Sequence, residues 1–119
     1  MAKVEVTVKF DPQTLKSYSR NEIVMNIALE NADESKLYWC ECEIAVKSPL
    51  SLAIDRELDV GRTRMGIVKH DEGKSKQIKL YTRPSNFPDD YKVGITTYVY
   101  EDDGTIADRV EQTESIACV

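Results

Sequence analysis

Residues 87–105, FPDDYKVGITTYVYEDDGT, decide the fold class of this chain. A Pro-Asp-Asp turn feeds a run of β-branched and aromatic residues that ends at an Asp-Gly hairpin signal. Side chains alternate faces along a strand, so Tyr91, Val93, Ile95, Thr97 and Val99 fall on one face. Lys92, Gly94, Thr96, Tyr98 and Tyr100 fall on the other. The block reads as the last long hairpin of an antiparallel β-sandwich, with Asp102-Asp103-Gly104 as a turn that needs positive φ.

Working toward the N-terminus, the same alternation recurs. Val4, Val6, Val8 and Phe10 alternate with Lys3, Glu5, Thr7 and Lys9, predicting a half-buried strand that Pro12 stops. A second strand opens at Asn21-Glu22 and puts Ile23, Met25, Ile27 and Leu29 on one face, before a turn at 31–34. A third, at about 37–47, sends Tyr38, Cys40, Cys42, Ile44 and Val46 one way and Trp39, Glu41, Glu43 and Ala45 the other. Leu50, Leu52 and Ile54 predict a short edge strand. Residues 55–66 are polar and have no firm assignment, whereas Met65 and Ile67 indicate a strand, Gly73 a turn, and 77–82 a strand with Ile78 and Leu80 inward.

The return strand of the final hairpin starts near Ile106 and Val110. Gln112 and Glu114 then fall in phase with Ile106, as either a bulge or a short C-terminal helix would produce. All four prolines lie between predicted strands, where a missing backbone donor is harmless. The expected architecture is an all-β, immunoglobulin-like, two-sheet antiparallel β-sandwich of about seven strands with Greek-key connections, in a single domain over 1–119.

Composition narrows the function classes. A chain of 119 residues with 41% apolar and 31% charged residues forms a core and is well solvated. Its net charge of -5 opposes non-specific binding to nucleic acid or to anionic membranes. No apolar run approaches the roughly 20 residues that span a bilayer. The opening residues alternate and lack the apolar centre of a signal peptide, so a cytoplasmic protein is expected. Three cysteines, Cys40, Cys42 and Cys118, do not form the dense framework of a small secreted domain.

The turn after the second strand, Glu30-Asn31-Ala32-Asp33, the third strand ending at Ser48-Pro49-Leu50, and Pro88-Asp89-Asp90-Tyr91 leading into the hairpin carry a resemblance. The chain resembles immunoglobulin-like modules of the CARDB and NEW3 type. Tyr91 also falls where such domains place a tyrosine corner, its hydroxyl bonding back to the turn. The resemblance implies a binding or spacer role and transfers no catalytic residue.

Several constellations bear on chemistry. Cys40 and Cys42 point to one face and would need Cys118 and His70, from distant segments, to complete a zinc site. Their phase with Ile44 and Val46 favours a core role instead. His70, the only histidine, rules out a pair of histidines and sits among Lys69, Asp71 and Glu72 like a solvated turn residue. Phosphate loops and nucleophile elbows do not occur. The acidic clusters Asp89-Asp90 and Glu101-Asp102-Asp103 flank opposite ends of one strand, so they do not easily meet to ligate calcium, and turn geometry explains Asp102-Asp103-Gly104 better. Residues 61–83 carry seven basic and two acidic side chains, whereas 84–119 carry two basic and eight acidic. Edge protection explains the basic segment better than docking of an acidic partner does.

Aromatic residues give the sharpest functional expectation. If the third strand lies beside the hairpin strand, Trp39, Tyr98 and Tyr100 share the outward face of one sheet, as a contact surface or as stabilising cross-strand pairs. The expectation is a non-enzymatic interaction module without cofactor or metal. It would bind a protein partner or a second copy through these three residues, with carbohydrate binding on the same face as the alternative.

Overall fold

The computed structural model describes residues 4–119. The alternation expected at Lys3 lies outside the described residues. Among the described residues nine strands occur: β1 (Val4–Asp11), β2 (Thr14–Leu15), β3 (Asn21–Asn31), β4 (Tyr38–Val46), β5 (Leu50–Ser51), β6 (Val60–Val68), β7 (Lys74–Thr82), β8 (Asp89–Tyr100) and β9 (Ile106–Cys118). They form a β-sandwich of two sheets, ordered β1-β3-β7-β5 and β2-β9-β8-β4-β6. Among the described residues, no helix is long and apolar enough to cross a membrane.

The core lies where alternation places it. Ile23, Met25, Ile27 and Leu29 of β3 are buried, as are Tyr38, Cys40, Cys42, Ile44 and Val46 of β4. From β8, Tyr91, Val93, Ile95, Thr97 and Val99 join them. The valines and phenylalanine of β1 are half-buried against this cluster, because β1 borders its sheet.

Tyr91 locks the start of β8. Its hydroxyl donates to the Phe87 carbonyl at 2.6 Å and accepts from the Phe87 N–H at 3.0 Å, the tyrosine-corner geometry expected there. At the far end of the hairpin, Gly104 has φ 86°, and its N–H donates to the Glu101 carbonyl at 2.9 Å. The acidic tip is therefore a turn whose glycine supplies a conformation that costs other residues energy.

Buried asparagines close both ends of the sandwich. Asn31 donates to the carbonyls of Lys36 (2.8 Å) and Val68 (3.0 Å), tying the end of β3 to the β4 approach and to β6. At the other end, fully buried Asn86 donates to the Lys16 carbonyl at 3.0 Å and accepts from the Ser19 N–H at 3.2 Å. Loops thus gain partners for backbone groups that no ladder satisfies.

Several expectations need correction. The β-sandwich of about seven strands stands, with nine strands among the described residues; the unforeseen one is β2, which pairs in parallel with the end of β9 (Thr14↔Ala117, Leu15↔Cys118) in an otherwise antiparallel set of ladders. The alternation from Leu50 to Ile54 breaks after Ser51, leaving Ile54 72% exposed. Within the unassigned polar stretch, strand begins at Val60. The C-terminus is strand, not helix, and of the two options the bulge is correct. Tyr100 pairs with Ile106 but Val99 with Asp108, so the ladder skips Ala107 and Ile106 leaves the phase of Val110.

Two measurements test this packing. Tyr91→Phe keeps the ring but deletes the hydroxyl clasp, and urea unfolding should show a loss of about 1–2 kcal/mol. Burial raises the Cys40 thiol from 9.0 to about 12 and raises Cys42 and Cys118 in the same direction. A raised folded pKa contributes stability below the unfolded value and loses it as pH rises past that value. Stability should therefore fall between about pH 9 and 12, and a maleimide should label the native thiols only as fast as the chain unfolds.

Candidate functional site

The register of three ladders assembles one outward surface on the larger sheet. Trp39 of β4 faces Tyr100 of β8, and Glu41 faces Tyr98, so the two strands lie together as expected. On its other side Trp39 faces Ile67 of β6, and Tyr100 faces Ile106 of β9. The result is an apolar row, Ile106–Tyr100–Trp39–Ile67, running across four strands. Ile106 is 62% exposed and Ile67 is 50% exposed.

Contacts within the row divide it into two zones. The Trp39 and Tyr100 rings lie 5.1 Å apart at 49°, and Tyr98 stacks on Tyr100 at 6.5 Å and 22°. Tyr98 is also flanked by two guanidinium groups, Arg62 at 5.1 Å and Arg109 at 5.7 Å from its centroid. Both arginines have acidic partners. Arg62 reaches Glu43 at 3.1 Å and Glu41 at 3.8 Å, and Arg109 reaches Glu111 at 2.7 Å. Tyr98 therefore sits in a charge-balanced zone that holds its ring in place. Trp39 and Tyr100 belong to the open, apolar zone.

That zone ends in a shallow pocket of about 480 Å³ beside the hairpin tip. Leu37, Trp39, Ile67 and Tyr100 supply apolar walls, and Glu101 and Asp102 stand at its rim. Lys36 Nζ lies 2.7 Å from Glu101 Oε1, clamping the approach to β4 against the tip. That hydrogen bond raises the Lys36 ammonium above its ordinary range. Asp103 accepts from the Thr105 hydroxyl at 2.7 Å and the Thr105 N–H at 3.0 Å, which hold its carboxyl below the usual carboxylate range. Two of the tip's carboxylates, Glu101 and Asp103, are thus oriented by local partners.

The other constellations disperse. Cys40 and Cys42 lie in the core, with Cys42 Sγ 3.4 Å from the Thr97 hydroxyl. Cys118 pairs with Asp89 while Cys40 pairs with Val99, at opposite ends of β8. At ~3.3 Å per residue, that is roughly 30 Å, so Cys118 cannot bond to Cys40 in this fold. His70 is better anchored than a solvated turn residue. Its Nδ1 lies 3.2 Å from the Asn31 carbonyl, and Nε2 lies 3.3 Å from Asp71 and 3.9 Å from Glu34. A second depression of about 390 Å³, between Arg20, Ser48, Tyr81 and Pro84, lies apart from the aromatic row and has a more polar lining.

The three expected aromatics thus lie together, with Tyr98 the least available. Sequence reading misses Leu37, Ile67 and Ile106. Ile67 turns outward because Gly66, at φ 92°, accompanies an irregularity where Cys40 pairs with Gly66 but Glu41 with Arg64. Ile106 turns outward at the skipped Ala107. A glycine inside an apolar run and the phase break in β9 are the only sequence signals of either.

No protein-family model matches the chain, and no curated protein matches its sequence. Among solved structures, it resembles the Bordetella pertussis protein assigned as ApaA, at 12% identity and TM-score 0.57, over 99% of this chain and 94% of that one. It also aligns with the major subunit of aggregative adherence fimbriae type I from Escherichia coli (9% identity, 98% and 94% covered, TM-score 0.44). A DNA-bound alkylpurine DNA glycosylase from Pseudomonas fluorescens aligns at 11% identity over 94% of this chain and 30% of that one, with TM-score 0.47. At such identities the first of these shows a shared fold and nothing finer.

Proposed function

We propose that this chain is a non-catalytic interaction module that docks a protein partner on the apolar row of its larger sheet. The observation that carries the reading is the row itself. Trp39 and Tyr100 lie at its centre, exposed Ile67 and Ile106 at its ends, and a pocket with an acidic rim beside it. Large aromatics surrounded by a polar rim are the composition of protein interfaces, in which a few such residues carry most of the affinity. Glu101 and Asp102 favour a partner that sets a basic side chain beside an apolar one.

The immunoglobulin-like kinship with CARDB and NEW3 modules belongs to the same proposal. It is supported by the strand order β1-β3-β7-β5 against β9-β8-β4 and by the Tyr91 corner. A reducing, cytoplasmic setting is also part of it, supported by three free, buried thiols.

Ile67→Lys and Trp39→Ala test the reading. Ile67→Lys lies on the surface and should alter stability by no more than about 0.5 kcal/mol. Affinity capture from the native cell, followed by titration of the purified partner, should show binding weakened about tenfold or more by each variant. A partner bound equally by wild type and both variants would remove the aromatic row from consideration. Quenching of Trp39 fluorescence by a glycan, with no protein retained, would instead establish the carbohydrate reading.

A further inference from the structure

Long strands border both sheets, and most of them carry a device that discourages pairing with another chain. β9 is covered by β2 only at Ala117 and Cys118. It sets polar Asp108, Gln112 and Glu114 in phase with buried Ile116 on its inner side. β6 has the Gly66 irregularity and carries Arg62 and Arg64. β7 meets β5 only at Thr82 and Tyr81, and its open stretch carries Lys74, Lys76 and Lys79. Inward charges, bulges and edge lysines are the usual means of blocking edge-to-edge association.

β1 differs from all of these. Its eight residues pair with β3 in an unbroken register from Val4↔Asn31 to Asp11↔Val24, and among the described residues no strand lies beside its other edge. The strand contains no proline, glycine or bulge. Its inner side is wholly apolar, with Val4, Val6, Val8 and Phe10 only half-buried. Its outer side carries Glu5, Thr7, Lys9 and Asp11, and the first three are self-complementary about Thr7. A two-fold axis at Thr7 sets Glu5 against Lys9 of a second copy twice over, Val6 against Val8, and Val4 against Phe10. Centring the axis on Val8 would set Glu5 against Asp11, which is repulsive.

We propose that β1 is the homodimer edge of this protein, pairing antiparallel with β1 of a second copy about Thr7. The joined sheet runs β5-β7-β3-β1-β1-β3-β7-β5 and covers the half-exposed valines of both copies. Because β1 belongs to the smaller sheet, the dimer leaves the aromatic row on the larger sheet free. The inference therefore does not depend on the function proposed above.

Disulfide trapping and charge reversal test it. Residues directly opposite in an antiparallel pair have Cα atoms about 4.5–5.5 Å apart, within disulfide reach. Under mild oxidation Thr7→Cys should give a covalent dimer rapidly, and Glu5→Cys, which faces residue 9, should not; the native thiols are buried. By sedimentation, Glu5→Lys should weaken the dimer about tenfold or more, and Glu5→Lys with Lys9→Glu should restore it. Circular dichroism controls for folding. A monomer at all concentrations up to about 1 mM would overturn the proposal. So would cross-linking of Glu5→Cys as fast as Thr7→Cys, or a dimer dissolved by Trp39→Ala but untouched by Glu5→Lys.

Discussion

The register between β4 and β8 is the constraint on which both the core and the surface depend. It sets Ile44 against Ile95, Cys42 against Thr97 and Cys40 against Val99 on the inner side. The same pairing sets Trp39 against Tyr100 and Glu41 against Tyr98 on the outer side. Side chains alternate with a period of two, so a slip of one residue would exchange the two sets. Burying a residue such as Ile44, Val93 or Ile95 is worth about 1.5–3 kcal/mol, whereas a cross-strand surface pair is worth about 0.2–1 kcal/mol. The core therefore chooses the register, and the aromatic row follows from it.

Alternation exposes those parts of the fold that are buried on one face and regular in pairing. β3, β4 and β8 meet both conditions, and every inward residue expected of them is buried. Legibility fails where one condition lapses. β2 and β5 are two residues long and too short to show a period. The inner face of β9 is polar at Gln112 and Glu114 because a border strand extends past the dry core. The candidate site is half legible for the same reason. Trp39, Tyr98 and Tyr100 follow from strand parity, while Ile67 and Ile106 each follow a parity break that only the ladders reveal.

Charge placement separates the surface into regions with different behaviour. Arg62 and Arg109 bracket Tyr98 and pair with Glu43 and Glu111, so opposite charges lie within reach and none needs a partner molecule. Exposed pairs of this kind add little stability, and their effect is to fix side-chain positions. Around Leu37, Trp39 and Ile67 no such screen exists among the described residues, although acidic groups stand a short distance away at the hairpin tip. A surface organised in this way offers apolar area for affinity and a charged border for orientation.

The strand order also bears on how the chain reaches this state. From β1 through β8 every connection passes from one sheet to the other, and among the described residues only β8 and β9 are joined by a tight hairpin within one sheet. A hairpin of that kind closes in roughly 1–10 μs, whereas the remaining ladders must first meet the entropy of closing longer loops. β4 is synthesised more than forty residues before β8, the partner that fixes its register. Until residue 100 leaves the ribosome, the apolar face of β4 lacks the ladder that orients it. Emergence of β8 and β9, not of the first strands, is the event that closes the core.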